Sequence, residues 1–350
     1  MTYPVIYLDG PDGTGKTTQA LILGYFLQKL NIPVAYFSYP VYEFPIGRVI
    51  GRCLGRWGNE EKIALPTPED MACLFALNRL ETLEDLRRQS WRLTILNRGP
   101  YSNLFSVARS VLEKGIYWDG LSTAQKAELV DEMLIYDEEF LDVLQKGHSE
   151  LVKIFLLMNP RESMELSAGR ARSTLGTEPD EYERKETLQG LTLQIFREIA
   201  DGKIEGHNAF LVEAVKGSLR RAWETPEAME KITEYEGIKE TAQRISQIIF
   251  PHLRLELRRI ESPEDFWRSY QYKIVGAGLQ AWQLAAEGKL VGFDFLNAYR
   301  DPDDGRRYPD LWEQRPDLLE QVKEFHPGVM ESIKASGELD YQRGLGPERR

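Results

Sequence analysis

Five short, unbroken apolar runs punctuate the first 250 or so residues: Val5–Leu8, Val34–Ser38, Leu93–Leu96, Val152–Met158 and Ala209–Val212. Each is rich in Val, Ile, Leu or Phe, as expected of a strand covered on both faces. Between the first two runs, Ala20, Leu23, Leu27 and Leu30 recur at helical spacing, and Asn31-Ile32-Pro33 ends that helix. Strands alternating with helices predict an α/β fold, a five-stranded parallel sheet with helices on both faces. Ligands of such sheets bind beyond the carboxyl ends of the strands. A last helix reads from Ile238 through Ala242, Ile245, Ile248 and Ile249, stops before Pro251, and closes a first domain over residues 1–253. The polar stretch 216–237 reads as an insertion ahead of it.

Residues 254–350 have a different character and predict a mostly helical C-terminal extension. Trp267, Tyr270, Tyr272, Trp282, Phe293, Phe295, Tyr299 and Trp312 would anchor it. Asp301-Pro302-Asp303-Asp304-Gly305 reads as a turn, and Arg343–Arg350 as a disordered end. No catalytic motif stands out there. An extra layer on the first domain, an oligomerisation element and a partner-binding module all remain open.

Chemistry enters directly after the first apolar run. Gly10-Pro11-Asp12-Gly13-Thr14-Gly15-Lys16-Thr17-Thr18 completes the G-x-x-x-x-G-K-[ST] pattern between a strand and a helix. Such a loop wraps backbone N–H groups around a polyphosphate, and the helix N-terminus adds partial positive charge. In that pattern Lys16 reaches the β- and γ-phosphates and Thr17 places its hydroxyl on Mg²⁺. ATP with Mg²⁺ is the expected ligand.

Composition narrows the rest. A net charge of −11 argues against a basic nucleic-acid-binding surface, although a few arginines focused in a cleft still suit a nucleotide. No apolar stretch approaches the roughly 18–20 residues that span a bilayer, so no membrane partner and a cytoplasmic location are expected. Cys53 and Cys73 lie in apolar helical patterns and read as buried thiols. His148, His207, His252 and His326 show no ligand spacing.

Six segments carry a family resemblance. They are Tyr7-Leu8-Asp9 with the phosphate loop through Gln19; Tyr39-Pro40 with Ile46-Gly47-Arg48-Val49-Ile50; Leu74-Phe75-Ala76-Leu77-Asn78-Arg79-Leu80-Glu81; Asn97-Arg98-Gly99-Pro100-Tyr101-Ser102; Asp180-Glu181-Tyr182-Glu183; and Leu211-Val212-Glu213-Ala214. Together they resemble the thymidylate kinase family. The resemblance implies a P-loop kinase fold and a nucleoside-monophosphate kinase that uses ATP and Mg²⁺ to make dTDP from dTMP. It also implies a homodimer. Lys16, Asp12, Arg98, Arg170 and Arg172 would then be catalytic, with the last two on a lid over about 167–183. Tyr39, Tyr42, Phe75, Arg79, Arg98, Ser102 and Tyr182 would hold the acceptor, and Thr17, Asp9 and Asn97 would arrange the metal. Gly13 matches those members that keep the basic residue in the lid.

Three departures stand out. Tyr42 replaces an arginine for the acceptor phosphate, with Arg48 or Arg79 as substitutes. Asn97 replaces a metal-organising Asp, and Asp9, where the family usually has Glu, would share that role through water. Gly99 replaces an aromatic or His.

The same residues have readings of their own. Phe75 and Arg79 lie four apart on one helical face, where a ring and a guanidinium can serve one ligand; Phe75 is equally well a core residue beside Leu74, Leu77 and Leu80. Arg98 follows a buried strand at the loop end of the sheet, where its fork would bridge donor and acceptor phosphates, a surface ion pair being the plainer alternative. Arg170 and Arg172 sit in a polar stretch that is either a closing lid or a solvated loop. Two other functions compete. A deoxynucleoside kinase would need a base for a neutral hydroxyl, with Glu43 the candidate. A regulatory protein would bind ATP while the extension engaged a partner.

Overall fold

A computed structural model of the protein describes residues 3–29, 32–42, 44–55, 62–88, 92–170, 186–214, 233–253 and 311–336. The five apolar runs become Val5–Asp9 (β1), Val34–Ser38 (β2), Leu93–Asn97 (β3), Leu151–Leu157 (β4) and Phe210–Glu213 (β5). All pairings are parallel, in the order β2-β3-β1-β4-β5. Burial on both faces explains the continuous apolar reading. Along β1, Val5 and Tyr7 enter the core on one side, while Ile6 and Leu8 enter the core on the other.

The second core is covered by Lys16–Lys29 (α1) and by the long helix Thr233–Leu253. That helix is longer than its apolar spacing predicts. It starts before Ile238 and runs through Pro251, because Ile249 and Leu253 are both buried and hold the last turn against the sheet. Residues 216–232 of the expected insertion, and all of 254–310, lie outside the described residues. The first core is covered by Pro45–Leu54 (α2), Pro68–Leu80 (α3), Leu104–Glu113 (α4) and Glu186–Ala200 (α5). Cys53 and Cys73 are both free thiols in this core, where burial pushes Cys53 up to about 11.

The strand order places the two key loops. The chain leaves β1 into α1 on one face and leaves β3 toward α4 on the other. Adjacent strands whose connections diverge open a crevice beyond their carboxyl ends. The loop after β1 is the phosphate loop, and the loop after β3 carries Arg98.

Helices Leu311–Gln314, Pro316–Phe325 and Pro327–Ala335 form an extra layer on the first core. Leu311, Trp312, Val322, Val329, Met330 and Ile333 are all buried in that cluster. Burying such a side chain contributes about 1.5–3 kcal/mol relative to leaving it in water. Polar ties fix the register: Arg52 Nη1 donates to Ser336 O at 2.5 Å, and Arg315 Nη1 to Glu139 Oε2 at 2.5 Å. His326 Nδ1 lies 3.1 Å from Asp70 Oδ1 at the start of α3, with its ring edge-on to Tyr136. No helix among the described residues is long and apolar enough to cross a membrane.

Candidate active site

Gly10 opens the phosphate loop at φ 138°, and a Cβ there would overlap the Leu156 carbonyl oxygen of β4. Gly13 and Gly15 also take positive φ, 80° and 84°, conformations that glycine adopts at little steric cost. Thr14 Oγ1 donates to Pro11 O at 3.0 Å and braces the turn. Lys16 is 4% exposed, and its Nζ donates to Gly10 O at 2.8 Å and Pro11 O at 2.5 Å. The result is a compact cradle with an ammonium held at its centre.

Arg98 reaches this cradle from the loop after β3. Its guanidinium forms an ion pair with Asp12, while its own N–H donates to Leu8 O at 2.9 Å. Ser163, on the helix Pro160–Arg170, donates to the Asp12 carbonyl, so the base of the expected lid is tied to the phosphate loop. Nothing in the sequence flagged Ser163. The Arg170 side chain, Arg172 and Tyr182 lie outside the described residues.

Beneath Arg98 lies a buried network. Tyr7 donates to Asp9 Oδ2 at 2.5 Å and accepts from the Tyr101 N–H at 2.7 Å. Ser102 Oγ lies 3.0 Å from Asp9 Oδ2 and accepts from the Gly99 N–H at 3.2 Å, and Gly10 N–H donates to Asp9 Oδ1 at 2.8 Å. Burial pushes the Asp9 carboxyl above its ordinary range, against the opposing pull of Lys16 and of its hydrogen bonds. Ser102 is therefore tied to Asp9 and to the turn. The Gly99 departure has a cause as well. A Cβ at Gly99 would stand 2.8 Å from Tyr7 Cε2, so the Tyr7 ring fills the space that a side chain at 99 would need.

Asp9 stands apart from the other two residues expected to arrange the metal. Strand alternation sends it to the face of Tyr7, whereas Asn97 points to the face of Tyr36 and α1. It does not join Thr17 and Asn97. Asn97 Nδ2 lies 3.0 Å from Thr17 Oγ1, 3.1 Å from Tyr36 OH and 2.8 Å from Ser38 Oγ. Its Oδ1 is buried and has no hydrogen-bond partner. An orphaned acceptor beside the Thr17 hydroxyl suits a hydrated divalent cation, whose waters are strong donors. The pair Thr17–Asn97 fits Mg²⁺, with less negative charge than an Asp would bring. Among the described residues there is no cluster of three or more His, Cys, Asp or Glu side chains placed to hold a metal.

The side where the acceptor is expected is built by α2, α3 and the segment between β2 and α2. Asn78 Oδ1 accepts from the Val41 N–H at 2.7 Å and its Nδ2 lies 3.2 Å from Val41 O, which pins that segment to α3. Glu81 Oε1 accepts from the Ile46 N–H at 3.0 Å. Tyr39 is buried with its OH 2.7 Å from Thr82 Oγ1, and Tyr42 is half-buried against the same core. Phe75 is 7% exposed within the core cluster. A Cβ on Gly47 would overlap the Val41 carbonyl oxygen and crowd Tyr42 Cα. Gly47→Ala is therefore expected to cost about 1–3 kcal/mol in urea unfolding, since backbone, not a flexible side chain, must move. An unchanged midpoint would show that the segment gives way freely.

Arg79 lies deep in the protein. It is 0% exposed: Nε and Nη2 donate to Asp137 Oδ1 and Oδ2 at 2.5 and 2.7 Å, and Nη1 donates to Gly99 O at 3.1 Å. The helix face that carries it is buried, and its charge is met inside the protein. The partner, Asp137, lies 58 residues away in the chain, beyond the reach of helical spacing.

Residues 8–127 match the family model described as thymidylate kinase. A protein of Invertebrate iridescent virus 6 named putative thymidylate kinase 251L is 30% identical over 135 residues, covering 38% of this chain and 58% of the viral protein. A protein of Methanococcus aeolicus named probable thymidylate kinase is 26% identical over 208 residues, covering 59% of this chain and 85% of the archaeal one.

Proposed function

We propose that this chain, a member of the thymidylate kinase family through residues 8–127, transfers the γ-phosphoryl group of ATP to a deoxynucleoside monophosphate, forming dTDP from dTMP. The observation that carries the reading is the meeting of Arg98 with Asp12 at the rim of the cradle that holds Lys16. Two fixed cations thus come from loops on opposite sides of the crevice. A protein that only bound ATP would need the cradle and not the second loop.

Phosphoryl transfer asks for alignment and charge stabilisation and little covalent work from the protein. On binding, Lys16 turns from the Gly10 and Pro11 carbonyls to the donor phosphates, which the loop amides also hold. Arg98, with its fixed fork of donors, spans the donor and acceptor phosphates. Thr17 and Asn97 would hold a magnesium ion, which would supply positive charge beside the transferring group. Phe75 supplies apolar floor beneath the acceptor base, Tyr39 and Tyr42 line its wall, and Tyr182 would be a further acceptor contact. Arg170 and Arg172 would serve as the lid cations that neutralise the phosphates. A monophosphate acceptor is already ionised near neutrality, its second pKa being about 6, so no general base is needed.

A coupled ADP-release assay with dTMP, dUMP, dCMP, dGMP and thymidine tests the proposal. Turnover is expected with dTMP above the other monophosphates and none with thymidine. Turnover of thymidine with none for any monophosphate would overturn it.

A further inference from the structure

Arg98 is the one non-glycine residue with a positive φ among the described residues, at 67°. A left-handed conformation is costly for a residue with a Cβ, so it persists only where its surroundings impose it. Here both ends of the next residue are pinned. The Gly99 N–H donates to Ser102 Oγ, and the Gly99 carbonyl accepts from Arg79 Nη1. Arg79 is itself fixed by both oxygens of Asp137, which also accepts from Asn103 Nδ2 at 2.9 Å.

Arg79 and Asp137 are both 0% exposed. Burying two charges is expensive, and a well-packed apolar pair often serves stability equally well. What an apolar pair lacks is a third donor to hold the Gly99 carbonyl. We infer that the buried Asp137–Arg79 pair is a positioning device for Arg98, setting the turn that aims its guanidinium across the phosphate loop. Asp137 is a positioning residue and touches no substrate. The inference rests on the kinase reading for what Arg98 does, and on geometry alone for how Arg98 is held.

The test uses the full chain carrying Asp137→Asn or Arg79→Lys. The second variant keeps a buried charge pair and loses the fork, so it stands in if the first fails to fold. With dTMP as acceptor, kcat is expected to fall about tenfold to a hundredfold, as for a small misplacement of an aligned group. KM for ATP and dTMP should stay within about threefold. A rise in the dTMP KM at unchanged kcat would overturn the inference in favour of a base contact by Arg79. A second readout needs no turnover: phenylglyoxal adducts at Arg98, located by peptide mass, should form severalfold faster in either variant. Equal adduct rates in folded variants would overturn the inference. Absence of any wild-type phosphorylation would instead strike the kinase proposal, leaving the adduct rates to decide this one.

Discussion

Arg98→Ala is expected to lower kcat by about 10³-fold while leaving the melting temperature within a few degrees of wild type. The size follows from what the fork does. A guanidinium that bridges two phosphates gains its interaction mainly as charge shifts between them, so its removal falls on kcat more than on KM. The small stability change follows from geometry. Alanine keeps the Cβ and hence the same penalty at φ 67°, so the backbone conformation is not what is being tested. The Arg98 side chain is 26% exposed and that of Asp12 6%, so the pair is partly open to water, and its loss is expected to cost no more than those few degrees. Arg98→Lys should fall between the two, because it keeps the charge and loses the fork. Steady-state kinetics with saturating ATP and dTMP would decide it. An alanine variant within tenfold of wild type would remove Arg98 from the chemistry.

The five strands were legible because burial on both faces leaves a continuous apolar run, which is a local signal. Their order was not, since nothing inside β3 states that it lies between β2 and β1. The phosphate loop was legible to the residue, because a fixed backbone shape demands glycine at fixed places, as Gly10 shows against the Leu156 carbonyl. Arg79 shows the opposite case. Helical spacing placed it beside Phe75, but whether its charge meets a ligand or a carboxylate depends on Asp137, far along the chain. The family resemblance gave Asp9 a share in the metal site through water, while the two-residue alternation of β1 turns its carboxylate toward Tyr7. A tyrosine at position 7 and a glycine at position 99 looked unrelated as letters. The fold makes them one choice, ring against missing side chain. The docking of residues 311–336 was foreshadowed only by Trp312, because an apolar anchor does not state what it packs on.

Lys16→Ala is expected to lower kcat/KM for ATP by about 10³-fold or more and to weaken ATP binding measurably by calorimetry. The chain carries a net charge of −11, so nothing in its overall field draws a polyanion to the crevice. Attraction has to come from fixed local charge, and Lys16 is the cation inside the cradle itself. At 4% exposure its ammonium is largely shielded from water, which makes its interaction with a phosphate stronger than a surface lysine could offer. Its loss acts a second time through Asp9. Lys16 is the largest influence holding that buried carboxyl down, so without it burial drives the Asp9 carboxyl higher still. Lys16→Arg should fail nearly as badly, because a planar fork does not fit the niche between the Gly10 and Pro11 carbonyls that a single Nζ occupies. Arg98→Lys, at the open rim, should be the milder of the two conservative exchanges. If Lys16→Ala bound ATP as wild type does and turned over within tenfold of it, the cradle would be gripping something other than the donor phosphates.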